Sequence, residues 1–184
     1  MNSGALKIDP SWTLFLDRDG VINRRIVDDY VKSWEQFEFI EGVREAIAAC
    51  TGKFGKILVV SNQQGVGKGL MTEKDVISIH KKMKEEVSRS GGMIDAVYFC
   101  PFLAEDHSLL RKPNVGMALK ARKDFPALRF NKSVMVGDSL SDMVFGKRVG
   151  MKTVFIGTNR QLIARNACLI DFAFPDLLSF SQSL

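Results

Sequence analysis

Two aspartates lie two positions apart at the end of a short apolar run, in the sequence Asp17-Arg18-Asp19-Gly20. Carboxylates this close raise each other's pKa, and a bound divalent cation such as Mg²⁺ would relieve the repulsion. One carboxylate could then attack a phosphorus atom while the other exchanges protons with the leaving group and with water. A polar turn with a helix-capping aspartate explains the same residues, so this motif alone leaves both interpretations open.

A glycine-rich segment, residues 61–69, follows the second apolar run and begins Ser61-Asn62-Gln63. A hydroxyl followed by exposed backbone amides can hold phosphate oxygens. The nucleotide-binding P-loop motif needs glycine where Asn62 stands and serine or threonine where Gly69 stands, so we reject that assignment. An ordinary flexible loop remains the alternative for this segment on its own.

A basic pair, Arg111-Lys112, stands before Pro113 and a predicted helix. The start of a helix favours negative charge, so a lysine is badly placed there unless a phosphate lies nearby. An ordinary surface lysine is the alternative interpretation of Lys112 taken singly.

A fourth motif carries two more aspartates, Asp138 and Asp142, after another apolar run. If the strands that precede Asp17 and Asp138 are neighbours, Asp138 offers a further oxygen ligand to a hard divalent cation, with Asp142 one helical turn beyond. Helix capping and the helix dipole explain each aspartate alone. They do not explain why four such motifs occur together, each just after an apolar run or before a helix.

Six apolar runs alternate with segments of helical period, which is the pattern of a mostly parallel sheet covered by helices on both faces. We predict strands over Thr13–Leu16, Ile57–Ser61, Ala96–Cys100, Ser133–Val136, Thr153–Ile156 and Leu169–Phe174, the last at a sheet edge. In such a doubly wound α/β fold, ligands bind beyond the carboxyl ends of the strands, where the chemical motifs lie.

Capping signals bound the helical segments. The predicted helices contain residues 43–50, run from the Thr72 and Asp75 capping box to Gly91, follow Asn114 to Phe125, and run from Ser139 or Ser141 to Gly150. His80, inside the second helix, is expected at a partly buried or surface position rather than in catalysis. Trp34, Phe37 and Phe39 are expected to pack in the core rather than line a substrate pocket.

The four motifs resemble those of the haloacid dehalogenase (HAD) superfamily of phosphohydrolases, which are DxD, a serine or threonine after the second strand, a lysine, and GDxxxD. The resemblance extends through Phe15–Asn23, Tyr30-Val31 and Phe37–Ile40 and covers roughly residues 13–158. With Arg111-Lys112-Pro113, it indicates the branch that contains phosphatases of D-glycero-D-manno-heptose 1,7-bisphosphate and of histidinol phosphate. It implies a Rossmann-like fold.

A single HAD-like phosphatase domain over residues 1–184 is expected. No long insertion follows the first or second motif, so we expect no separate cap domain.

The resemblance implies a metal site and its supporting residues. Asp17 would be the nucleophile and a Mg²⁺ ligand, and Asp19 the general acid and base that also gives its backbone carbonyl to the metal. Asp138 would complete the protein ligands. Asp142 would position Lys112 or a metal-bound water.

The resemblance also implies contacts to the substrate. Ser61 and Asn62 would hydrogen-bond the transferring phosphoryl group, with Gln63 also in the substrate-binding set. Lys112 would neutralise the phosphoryl charge and orient the nucleophile. Arg111 is suited to grip a second phosphate or hydroxyl groups remote from the reacting bond.

One departure from the branch concerns its zinc loop, which reads Cys-x-His and then Cys-x-Cys immediately before Arg-Lys-Pro. Cys100 is present, but Phe102, Ser108 and Leu110 stand where the histidine and the two later cysteines would be. A structural zinc needs four ligands, which one cysteine and the nearby His107 do not supply. We therefore expect no structural zinc, and the shortened loop leaves the sugar open.

The sequence thus predicts a Mg²⁺-dependent phosphomonoester hydrolase that works through an aspartyl-phosphate on a small phosphorylated sugar. D-glycero-D-manno-heptose 1,7-bisphosphate is the first candidate. Histidinol phosphate, another sugar phosphate or a 3'-phosphate at a nucleic-acid end remain alternatives, since an uncapped site is open. A non-catalytic phosphosugar-binding protein is the alternative from a different class.

Composition restricts the partners and the location. The net charge of +5 would suit polyanions, but the basic residues are scattered apart from Lys81, Lys82 and Lys84, which we interpret as a solvated helix face; nucleic acid is therefore disfavoured. No apolar run approaches the roughly 20 residues that span a membrane, and Met1–Trp12 lacks the apolar stretch of a signal peptide. An odd count of three cysteines suits a reducing compartment. We expect a cytoplasmic monomer.

Overall fold

A computed structural model describes residues 6–184. The first five residues of the segment predicted to lack a signal peptide lie outside this range. Within it, six parallel strands form one sheet in the order β3-β2-β1-β4-β5-β6. The strands are β1 (Thr13–Leu16), β2 (Lys56–Asn62), β3 (Ala96–Cys100), β4 (Ser133–Gly137), β5 (Lys152–Ile156) and β6 (Phe172–Phe174). The predicted doubly wound α/β fold is confirmed.

Helices connect the strands. They are α1 (Val43–Cys50), α2 (Glu73–Arg89), α3 (Gly116–Asp124), α4 (Leu140–Arg148), α5 (Arg160–Arg165) and α6 (Leu177–Gln182), with 3₁₀ turns at Trp34–Gln36 and Phe130–Lys132. In the described part of the chain, no further domain is inserted after β1 or β2. None of the described helices has the length and apolar character that would let it cross a bilayer.

The capping signals set several helix ends as predicted. The carboxylate of Asp75 accepts from the backbone N–H of Thr72 (2.8 Å), whose hydroxyl accepts from the N–H of Asp75 (3.2 Å), so the capping box of α2 is confirmed. At α4 the N-cap is Ser139, and the helix stops before Gly150, whose φ of 82° suits glycine.

Two elements differ from their predicted bounds. Helix α3 begins at Gly116 rather than directly after Asn114, because the Asn114 side-chain oxygen that would cap the helix accepts from Arg148 Nη1 (3.1 Å) instead. Strand β6 begins at Phe172 rather than Leu169, because Leu169 accepts a hydrogen bond from the Thr153 hydroxyl (2.6 Å) in a turn before the strand. The edge position of β6 is confirmed.

The core lies on both faces of the sheet, as the alternation of buried side chains requires. Leu14 and Leu16 of β1 belong to one cluster with residues of α1, α2 and α6, whereas Phe15 packs on the other face with α3 and α4. Phe37 is buried in the first cluster and stacks on Trp34 (ring centroids 5.0 Å apart), which confirms core packing for this aromatic group.

Candidate active site

The sheet order brings the four motifs together at one edge. β1 lies between β2 and β4, with Leu16 paired to Val59 on one side and to Val136 on the other. A cleft of about 500 Å³ opens at the carboxyl ends of these strands. Its lining includes six residues that the sequence singled out: Asp17, Asp19, Ser61, Asn62, Arg111 and Lys112. This volume is typical of small-ligand pockets, which span about 300–1,000 Å³.

A buried lysine and three carboxylates form the first ionic group, which we call the lysine cluster: Lys112, Asp17, Asp142 and Asp138. Lys112 Nζ lies 2.9 Å from Asp17 Oδ1 and 2.6 Å from Asp142 Oδ1, and it donates to the carbonyl of Val60 (2.7 Å). The other oxygen of Asp142 accepts from the Ser139 hydroxyl and N–H at the start of α4. Asp142 is therefore fixed where it can position Lys112.

The carboxylates of the lysine cluster meet the requirements of a divalent cation site. Oxygens of Asp17, Asp138 and Asp142 lie within 4.8 Å of one another, and within residues 6–184 this is the one such group of three or more potential ligands. The Arg25 guanidinium lies 2.9 Å from Asp138 Oδ1 and 3.3 Å from the carbonyl oxygen of Asp19. These two oxygens thus converge on a position that already accepts positive charge.

Gly20 permits this convergence. A Cβ at residue 20 would lie 2.0 Å from Asp138 Oδ2, and the glycine has a φ of 92°, which other residues rarely adopt. The Asp138 carboxylate therefore approaches the Asp17–Gly20 loop because residue 20 has no side chain.

The lysine cluster has a shortage of positive charge. Burial, reinforced by Asp142, raises the pKa of Asp17 to about 7 although Lys112 opposes the shift. Burial likewise raises the pKa of Asp138 to about 6, against the effect of Arg25. Burial alone would lower the pKa of Lys112, but Asp142 and Asp17 outweigh it, so this pKa lies above its ordinary value. A bound cation would favour the ionised carboxylates.

A second ionic group surrounds the other motif aspartate, and we call it the arginine cluster: Arg18, Asp19, Asn23, Gln63 and His80. Asp19 Oδ1 accepts from Arg18 Nη2 (2.8 Å) and Asn23 Nδ2 (2.9 Å), and Oδ2 accepts from Gln63 Nε2 (2.8 Å). Burial would raise the pKa of Asp19, but the charge of Arg18 and these hydrogen bonds outweigh it and hold the pKa below its usual range.

His80 lies behind the arginine cluster, more deeply buried than we expected. Its Nε2 is 3.2 Å from Arg18 Nη1 and its ring packs edge-on against Phe99 of β3. Burial, with the nearby Arg18 charge, lowers the pKa of His80 to about 3. The imidazole is therefore neutral at physiological pH.

The remaining motif residues divide between the cleft and its support. Ser61 lines the cleft, and its hydroxyl accepts from Gln63 Nε2 (2.7 Å). Gln63 itself is buried outside the cleft lining, so its contacts hold Ser61 and Asp19 rather than reach the cleft. The Asn62 side chain exchanges two hydrogen bonds with the backbone of Lys112 (3.0 and 3.1 Å) and thereby fixes the segment that carries the lysine.

The segment that replaces the zinc loop is fixed at both ends. The N–H of Gly67 donates to the carbonyl of Pro101 (2.9 Å) at its start, and Asn62 holds Lys112 at its finish. Arg111, at the end of this segment, lines the cleft and donates to the carbonyl of Phe102 (3.4 Å). Cys100 is buried and free.

Sequence reasoning did not assign a role to several cleft residues, among them Arg25, Tyr30, Gln64 and Lys68. Gln64 donates to the Tyr30 hydroxyl (3.1 Å), and Lys68 Nζ lies 5.3 Å from the centre of the Tyr30 ring. Lys68 belongs to the glycine-rich segment, which was a usable signal. Arg25 carries no such signal, because its position depends on the path of the loop after β1.

The chain is similar to known phosphatases. Residues 109–178 match the HAD-hydrolase-like family model. A D-glycero-alpha-D-manno-heptose-1,7-bisphosphate 7-phosphatase of Mycobacterium bovis is 42% identical over 94% of this chain and 91% of its own length. A D-glycero-beta-D-manno-heptose-1,7-bisphosphate 7-phosphatase of Vibrio cholerae is 36% identical over 85% of this chain and 87% of its own length.

A solved structure gives the same picture. The D,D-heptose 1,7-bisphosphate phosphatase of B. bronchiseptica, complexed with magnesium and phosphate, superposes with a TM-score of 0.84 at 28% identity. The alignment covers 93% of this chain and 96% of that one.

Proposed function

Because the chain belongs to the HAD-like phosphatases, we propose that it removes a phosphate from D-glycero-D-manno-heptose 1,7-bisphosphate with Asp17 as nucleophile. The observation that carries this proposal is the lysine cluster at the end of β1. There a buried carboxylate faces the cleft, 2.9 Å from a buried ammonium group, beside two further carboxylates. A structural ion pair alone would not need two carboxylates on one lysine and a third carboxylate within 4.8 Å of both.

The reaction takes place in two steps. An Asp17 oxygen forms a bond to phosphorus while the bond from phosphorus to the sugar oxygen breaks, and Asp19 gives its proton to that oxygen. Asp19 then takes a proton from water, whose oxygen attacks the phosphorus of the aspartyl-phosphate. Inorganic phosphate leaves and the Asp17 carboxylate is restored. Ser61 and Lys112, at the cleft wall, are suited to hold the phosphoryl oxygens.

A Mg²⁺ ion held by Asp17, Asp138 and the carbonyl oxygen of Asp19 would supply charge neutralisation at the phosphoryl group. The convergence of the Asp138 carboxylate and the Asp19 carbonyl on the Arg25 guanidinium, with Asp17 close to Asp138, supports this ligand set. A cation favours the ionised form of Asp17, and a bound phosphate raises the pKa of nearby Asp19. Metal and substrate would thus bring both aspartates into their working protonation states.

The substrate proposal rests on the relatives and on the charge of the cleft. A bisphosphate carries a second phosphate away from the reacting bond, and that group needs cationic partners. Arg111 and Lys68 line the same cleft as Asp17 and can provide them. The relatives at 42% and 36% identity act, by name, on opposite anomers, so both anomers belong in the test.

The test is a comparison of kcat/KM for phosphate release with Mg²⁺ and with EDTA. The substrates are both heptose bisphosphate anomers, histidinol phosphate, a 3'-phosphorylated oligonucleotide and p-nitrophenyl phosphate. We expect one heptose anomer to rank first and EDTA to abolish turnover. A higher ranking for another phosphate would refute the substrate, and a failure to hydrolyse any of them would favour a phosphosugar-binding protein.

A further inference from the structure

We propose that His80 is a positioning residue for the acid and base Asp19, acting through Arg18. The inference rests on the proposed function, because it takes Asp19 as the acid and base of that reaction. His80 contacts Arg18 from 62 positions away in the sequence. His80 does not line the cleft, so any effect it has on the reaction must pass through the arginine.

The Arg18 side chain is buried and has few anchors. Its Nη1 meets His80 (3.2 Å) and its Nη2 donates to Asp19 (2.8 Å), while its Nε has no hydrogen-bond partner among residues 6–184. A buried guanidinium without partners is costly, so each of these two contacts is strongly favoured. Because the guanidinium is planar and rigid, the anchor at His80 sets the direction from which Arg18 meets Asp19.

The chemistry of the two groups fixes how they interact. Arginine remains protonated and is only a donor, so His80 Nε2 must accept and the ring proton must lie on Nδ1. The low pKa of His80 agrees with this neutral form. The ring is itself held by packing against Phe99 and by its place on the buried face of α2, between Val76 and Met83. The core of the protein thus determines the orientation of Arg18.

Loss of the acceptor would free one edge of the guanidinium. Arg18 could then rotate and pair with Asp19 through both terminal nitrogens, which would change the direction of the carboxylate that must reach the leaving oxygen. General acid catalysis depends on such placement and contributes about 10²- to 10⁴-fold to rates. The effect should therefore depend on how much the leaving group needs a proton.

The matched pair of variants is His80→Gln and His80→Asn, with His80→Leu as the variant that lacks any acceptor. The glutamine oxygen can reach the position of Nε2, whereas the asparagine oxygen is one methylene short. Two substrates separate the roles: a sugar phosphate, whose alkoxide must be protonated as it leaves, and p-nitrophenyl phosphate, whose phenolate leaves without a proton. Thermal unfolding confirms that each variant is folded.

We expect His80→Asn and His80→Leu to lower the single-turnover rate of the first step, phosphoryl transfer to Asp17, about tenfold more on the sugar phosphate than on p-nitrophenyl phosphate, and His80→Gln to restore most of that difference. Equal losses on both substrates in the folded variants, or no loss on either, would overturn the proposal while leaving the phosphatase function intact. If wild-type protein hydrolyses neither substrate, the proposed function itself fails. If His80→Leu does not fold, the Gln and Asn pair still decides the question.

Discussion

Asp17 and Asp19 are two residues apart, yet the lysine cluster and the arginine cluster give them opposite surroundings. In the lysine cluster two carboxylates share one buried ammonium group with a third carboxylate nearby, and the pKa of Asp17 rises to about 7. In the arginine cluster one carboxylate has a guanidinium and two amides as donors, and the pKa of Asp19 falls. The lysine cluster holds more negative than positive charge, whereas in the arginine cluster the charge of Arg18 balances that of Asp19.

This difference indicates which of the two clusters is suited to bind a ligand. A cluster that lacks a cation can take up Mg²⁺ and then a phosphate, because both would complete its charge and coordination. A cluster whose charges are already paired gains less from an added cation and instead holds a side chain in place. Two aspartates of identical chemistry thereby acquire different pKa values from their neighbours, which is the basis of the different tasks proposed for them.

The sharpest way to break the comparison is to replace each aspartate by asparagine. Asp17→Asn should lower turnover roughly 10⁴-fold and release no burst of p-nitrophenol, since the nucleophile is gone. Asp19→Asn should release about one equivalent of p-nitrophenol and then stall, since this leaving group needs no acid but the aspartyl-phosphate needs a base. Rapid-quench kinetics measures both. A burst from Asp17→Asn would refute the covalent role of Asp17.

The next largest effect concerns the buried ammonium group. Lys112→Met should destabilise the protein by about 3–5 kcal/mol, because it leaves Asp17 and Asp142 without their cation. Adding Asp142→Asn should recover part of that loss. Urea unfolding gives the free energies. The matched control is Lys147→Met, which breaks the partly exposed pair with Asp171 (2.7 Å) and should cost less than about 1 kcal/mol. Equal losses of stability would mean that burial gives the ion pairs of Lys112 no greater weight than a partly exposed pair.

The two clusters should respond to pH with opposite signs in metal-free protein. The pKa of Asp17 rises from 3.8 to about 7 on folding and that of Asp138 to about 6, so the folded state binds more protons and stability falls as the pH rises between about 4 and 7. The pKa of His80 falls from 6.5 to about 3, so its contribution is present above pH 6.5 and is lost as the pH falls toward 3.

Urea unfolding in EDTA at several pH values between 4.5 and 7.5 separates these contributions, each limited to about 1.4 kcal/mol per pH unit for one proton. His80→Gln should make the decline toward pH 7 steeper, and Asp17→Asn should flatten it. Saturating Mg²⁺ should also flatten it, since the cation binds the ionised carboxylates. A wild-type stability that rises steadily from pH 4.5 to 7.5 in EDTA would contradict the raised pKa values.

The smallest expected effect is at Arg25. More than half of its side chain is exposed, so Arg25→Gln should change the free energy of unfolding by less than about 1 kcal/mol. Because its guanidinium meets Asp138 and the Asp19 carbonyl, its loss should tighten Mg²⁺ binding by no more than about fivefold, the same energy expressed as an affinity. Isothermal titration with MgCl₂ measures this. Weaker Mg²⁺ binding would show that Arg25 supports the metal rather than competing with it.

The sequence predicted the sheet, the position of the site and the lysine cluster, because these follow from local patterns. Buried strands read as apolar runs, and parallel strands end at one edge, so charged residues after each run had to meet. The partners of Lys112 were expected from the resemblance to the HAD motifs rather than from these patterns. Side-chain direction was harder to predict, because nothing in the residue order shows that the Asn62 amide hydrogen-bonds the backbone of Lys112.

The arginine cluster was missed for a different reason. Its members come from the loops after β1 and β2 and from α2, and only packing decides that they touch. One signal was present, since His80 follows Val76 by four positions and precedes Val87 by seven and so shares the buried stripe of α2. A polar residue on an apolar stripe indicates a buried partner, and Arg18 inside the first motif was available to be that partner.

The double hydrogen bond between Asn62 and Lys112, with the contact of Gly67 and Pro101, anchors residues 102–110 at both ends on the rim of β2. A change of sequence or length between those anchors should therefore displace the Lys112 ammonium group little. Loops of other lengths and compositions could therefore replace this segment and change the substrate preference while the lysine cluster keeps its geometry.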